Sequence, residues 1–110
     1  MTMRAQAARK PIEQRRSARD LVDYATTVQT LIGVTPLRVI NLSPLGLMGR
    51  SKALVAKGER LRIALPHVGA IDAEVRWSGE DRIGVEFALP IGERDYAQLL
   101  AAMPGRDNGW

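Results

Sequence analysis

At 110 residues, with 45% hydrophobic and 25% charged residues, the chain has the length and composition of one globular domain with a single modest core, which argues against global disorder. It contains no cysteine, so disulfides, thiolate metal sites and a cysteine nucleophile are excluded, in keeping with a reducing cytoplasm. The net charge of +4 is an N-terminal property: Arg4, Arg9, Lys10, Arg15, Arg16 and Arg19 stand against one acid, Glu13, and after Arg19 basic and acidic residues nearly balance.

Residues 1–12 have no apolar period and no hydrophobic signal-peptide region, and are expected to form a flexible basic arm. No apolar run in the sequence approaches the length of a membrane span, so no membrane partner is expected. From Tyr24 the pattern is mostly period two. "ATTVQTLI" (25–32), ending at Gly33, is β-branched and reads as a strand, "PLRVINLS" as another, and "GLMGRSKALV" as a further irregular one. "ERLRIALP" puts Leu61, Ile63 and Leu65 on one face. "GAIDAEVRWS" puts Ile71, Ala73, Val75 and Trp77 on one face, so Trp77 is expected in the core. A turn at "GEDR" (79–82) leads into "IGVEF", with Ile83, Val85 and Phe87 inward, and the two strands form a hairpin. After Pro90 the period changes: Tyr96, Leu99, Leu100 and Met103 fall on one face of a short helix stopped by Pro104-Gly105. Six short strands and a terminal helix predict a closed antiparallel β-barrel with the helix packed against it.

Catalytic signatures are missing. The only histidine, His67, lies in a loop with no ligand spacing around it and reads as solvated. No nucleophile elbow, phosphate-binding loop or GxGxxG occurs, and Asp72 and Glu74 share the solvent face of one strand. The chain is expected not to be an enzyme and to need no cofactor or metal.

Two stretches remain. "EQRRSARD" (13–20) crowds Arg15, Arg16 and Arg19 together. It reads either as a solvated basic tail or as an anion clamp, since arginine's planar fork bonds phosphate oxygens bidentately, grips the O6/N7 edge of guanine and stacks on flat rings. "NLSPLG" (41–46) reads either as a strand ending in a turn or as a recognition edge. In the second reading Asn41 offers an acceptor and a donor, Ser43 a hydroxyl on the same strand face, and Gly46 close backbone approach.

Together and in this order, the two stretches resemble the PilZ domain, the bacterial receptor module for cyclic di-GMP. Its signatures are RxxxR before the first strand, here Arg15 to Arg19, and [D/N]xSxxG at a later strand junction, here Asn41 to Gly46. The resemblance continues through "KGERLRIALP" and "AEVRWSGEDRIGVEF" and covers residues 13–103, leaving 104–110 as a tail. It implies a six-stranded barrel of the split-barrel type. It further implies that Arg15 and Arg19, assisted by Arg16, clamp the ligand's phosphates and guanine. Asn41 and Ser43 would bind a base, and Gly46 would keep the turn open. Asn41 stands where the family more often has Asp, and Asp20, directly after Arg19, is a carboxylate able to compete for that arginine.

The resulting expectation is a cyclic di-GMP receptor that changes the conformation of its N-terminal arm on binding and signals to a separate effector protein. The alternatives are a small basic barrel binding nucleic acid and a PilZ-like adaptor that no longer binds ligand. Against nucleic acid, the five aromatics are few and mostly in core phase.

Overall fold

The computed structural model describes residues 19–103. Six strands and one helix follow in order: β1 Asp20–Thr30, β2 Gly33–Ser43, β3 Gly46–Arg50, β4 Arg60–Leu65, β5 Gly69–Gly79, β6 Arg82–Phe87 and α1 Glu93–Ala101. The strands pair antiparallel in the order β1-β2-β3-β6-β5-β4, and β4 returns to β1 through Val28 with Ile63 and Gln29 with Arg62, closing the barrel. The expected six-stranded barrel with a C-terminal helix is the observed fold. Closure leaves no free sheet edge along its circuit. Among the described residues no helix is long and apolar enough to cross a membrane.

Alternation of side chains across each strand fills the interior. Val28, Leu37, Val39, Leu42, Leu61, Ile63, Leu65, Ala73, Val75, Ile83, Val85 and Phe87 are buried there, joined by Leu99 of α1 and by Met103. With Tyr96 and Leu100 packed partly against the same cluster, the helical face read from the sequence is the one that docks. The helix caps the end of the barrel where β1 begins and β2 ends. His67, at positive φ in the β4–β5 turn, reaches it through a 3.1 Å contact between Nε2 and Asp95 Oδ1, so this solvent-exposed histidine also has a partner on the helix.

The structure revises the strand assignments in three places. The first strand starts at Asp20 and stops at Thr30, and Leu31 and Ile32 form the hairpin turn, 89% and 80% exposed. β3 ends at Arg50, and residues 51–59 run as a loop. Trp77 is not a core residue. Val75 pairs with Val85, but Trp77 pairs with Gly84, so a bulge inserts one extra residue in β5 and reverses its phase. The Trp77 indole then lies on the outer face, 47% exposed, across Gly84.

Candidate functional site

The polar strand break occupies the end of the barrel beside α1. Leu37 and Val39 point inward, and uninterrupted alternation would send Asn41 inward as well. An irregularity between Val39 and Asn41 in the β2–β3 ladder resets the phase. Leu42 is therefore fully buried, and Asn41 is left partly accessible.

Asn41 meets the arginine segment there. Arg19 Nη1 donates to Asn41 Oδ1 at 3.1 Å. Arg19 immediately precedes β1, and β1 pairs with β2 through Leu21 opposite Asn41, so the antiparallel ladder delivers the last arginine of one motif to the first residue of the other. Arg15 and Arg16 lie outside the described residues.

Asp20, the potential competitor for Arg19, is engaged elsewhere. The Tyr96 hydroxyl, from α1, donates to Asp20 Oδ2 at 2.6 Å and lies 3.0 Å from the Leu42 carbonyl oxygen. Burial, the Asp20 hydrogen bond and the Asp20 charge, in that order, push the Tyr96 phenol far above its ordinary value, which keeps it a donor. Tyr96 thus ties the start of β1, the end of β2 and the helix together at the site. The sequence marked Tyr96 only as one of four residues on a helical face; its hydroxyl role needs the fold to bring residues 20 and 96 together.

Ser43 and Gly46 are placed differently from Asn41. Ser43 is 8% exposed, and its hydroxyl accepts from the Leu45 amide at 3.2 Å, bracing the turn over Pro44 and Leu45. Backbone bonds from Phe87 to Leu45 and from Ile91 to Pro44 hold the same turn from the other side. At Gly46 a Cβ would run into the Val85 carbonyl oxygen, so close approach of β3 to β6 requires glycine there. Asn41 and Arg19 form the accessible pair, and Ser43 and Gly46 shape the turn behind them.

The ladders extend this site sideways. Asn41 is opposite Met48, Met48 opposite Gly84, and Gly84 opposite Trp77, forming one row across β2, β3, β6 and β5 on the outer face. A polar edge at Asn41, a thioether at Met48 and a half-exposed indole at Trp77 therefore share one surface. Hydrogen bonding to a base edge and stacking on an aromatic plane are both available along it. Trp77 is the site candidate that alternation in the sequence assigned to the interior.

A family model described as the PilZ domain matches residues 13–103, which contain both motifs, all six strands and the helix. No curated protein matches the chain.

Proposed function

Since the chain belongs to the PilZ domain family, a family of domains that bind cyclic di-GMP, we propose that this protein is a non-enzymatic cyclic di-GMP receptor of the bacterial cytoplasm. Arg15 and Arg19, with Arg16 beside them, engage the ligand's phosphates and one guanine. Asn41 presents its amide to a base edge, with Ser43 and Gly46 holding the turn that positions it. Trp77 offers a stacking plane further along the same row. Chemically, arginine forks suit both phosphate oxygens and the O6/N7 edge of guanine, so one residue type serves a ligand that carries both.

The observation that carries this reading is the Arg19–Asn41 hydrogen bond, which joins the two motifs at one accessible edge of the barrel. In the bound state the arginine exchanges that neutral acceptor for the anionic ligand, a stronger partner. Binding would thereby fix the segment entering β1 against β2, and the changed surface is what an effector protein reads. Isothermal titration calorimetry of the full chain with cyclic di-GMP tests the reading. Saturable heat that disappears in the Arg15→Ala, Arg19→Ala double variant is expected. No heat with the wild-type protein, or equal affinity in the double variant, would overturn it.

A further inference from the structure

Strand register brings three arginines side by side at the other end of the barrel. Arg38 of β2 is opposite Arg50 of β3, and Arg50 is opposite Arg82 of β6; all three are exposed on the outer face. Residues directly opposite one another have Cβ atoms about 5 Å apart, and like charges so placed repel. Arg38 is paired with Asp23 at 2.8 Å. No ion pair to Arg50 or Arg82 occurs among the described residues.

The row borders a depression of about 730 Å³ that also takes in Ala25, Pro36 and Lys52, with Glu80 and Asp81 of the β5–β6 turn lining it beside Arg82 but in no ion pair with the row among the described residues. Arg50 is two residues beyond Met48 in β3, about 7 Å along the strand, so the depression lies outside the Asn41–Trp77 row but on the same outer surface. Three arginines spanning three strands cover about 10 Å, a length that meets several carboxylates in succession. Exposed Ala25 and Pro36 beside them provide apolar contact that a bare phosphate would not use.

From this we propose that the Arg38–Arg50–Arg82 row docks an acidic, partly apolar segment of a partner protein. The partner's carboxylates relieve the repulsion within the row, and its apolar side chains rest on Ala25 and Pro36. The proposal goes beyond the ligand reading by giving the output partner a place and a chemistry, and its test starts from the protein free of cyclic di-GMP.

The test is amide NMR on the full chain, titrated with a synthetic peptide of alternating glutamate and leucine. Shifts are expected to cluster at Ala25, Leu37, Arg38, Arg50, Lys52 and Arg82. The Arg50→Ala, Arg82→Ala double variant is expected to bind about tenfold more weakly, the loss of two exposed charge pairs. Its melting temperature should equal or exceed that of the wild type, because both repulsive pairs of the row have been removed. Shifts mapping elsewhere, unchanged affinity in the double variant, or equal binding of a peptide with glutamine in place of glutamate would each overturn the proposal. So would displacement of the peptide by inorganic phosphate at millimolar levels or by cyclic di-GMP, which would reassign the row to phosphate. Failure of cyclic di-GMP to bind the wild-type protein would remove the receptor reading and leave this one standing.

Discussion

Arg19 and Asn41, separated by 22 positions in the chain, are joined side chain to side chain at 3.1 Å. The bond is exposed, so it contributes little to stability, but it holds a guanidinium and an amide on one edge where both remain accessible. In the proposed bound state Arg19 gives up this weak, exposed bond for the anionic ligand, a stronger partner.

Replacing Arg15 or Arg19 with alanine should weaken cyclic di-GMP binding by about 1–3 kcal/mol, the range for a bidentate contact to guanine. Lysine at either position should fail to restore affinity, because a point charge lacks the planar fork. Calorimetric titration of the alanine and lysine variants checks both statements, and full affinity in Arg19→Lys would remove the fork from the explanation.

Asn41→Ala should weaken the ligand while leaving the melting temperature close to that of the wild type. Its side chain faces outward because of the irregularity beside it, and the bond it loses is exposed. A large fall in melting temperature, measured by circular dichroism, would make Asn41 a structural turn residue instead.

Tyr96→Phe removes the bonds to Asp20 and to the Leu42 carbonyl and should cost about 1–2 kcal/mol of stability. It should also weaken ligand binding, because the Asp20 carboxylate is released next to Arg19. The pH dependence follows from the raised phenol pKa. In the unfolded chain tyrosine loses its proton near pH 10, while folded Tyr96 keeps it, so above that pH the unfolded state binds fewer protons and stability falls as pH rises. Below about pH 9 the contribution is complete. The stability difference between wild type and Tyr96→Phe should therefore shrink between about pH 9.5 and 11.5, as read from denaturant midpoints. A constant difference across that range would contradict the assignment.

Trp77→Ala should behave as a surface change for folding and a site change for binding. The loss of stability should fall well short of the roughly 3–5 kcal/mol typical of a core tryptophan. Affinity for cyclic di-GMP should drop by about 1–3 kcal/mol, the usual value for base stacking on an aromatic side chain. Gly84→Ala should act indirectly, since the added methyl group meets the Trp77 ring and must displace it. In a Trp110→Phe background, which leaves Trp77 as the sole indole, the displacement should appear as a change in emission. Unaltered emission in Gly84→Ala would place the indole away from residue 84.

Local pattern carried much of the architecture. Period-two alternation in "ERLRIALP" and "IGVEF", and the i, i+3, i+4 spacing ending at Met103, are physical requirements of a half-buried strand and a one-sided helix, so they appear in the residues themselves. The two polar motifs were equally visible, because their residue types and spacing are local. Trp77 and Asn41 obeyed a different rule. Each follows inward-pointing residues in perfect alternation, and each is turned outward by an irregularity that exists only as a mismatch between paired strands. Gly46 reads from sequence as an open turn, yet its reason is the Val85 carbonyl of a strand nearly forty positions later. The Tyr96–Asp20 bond and the Arg38–Arg50–Arg82 row likewise depend on which residues the ladders set opposite each other. Hydrophobic periodicity depends on neighbours along the chain and can be read there; register depends on closing the barrel, and only the closed barrel decides which side chains share its outer surface.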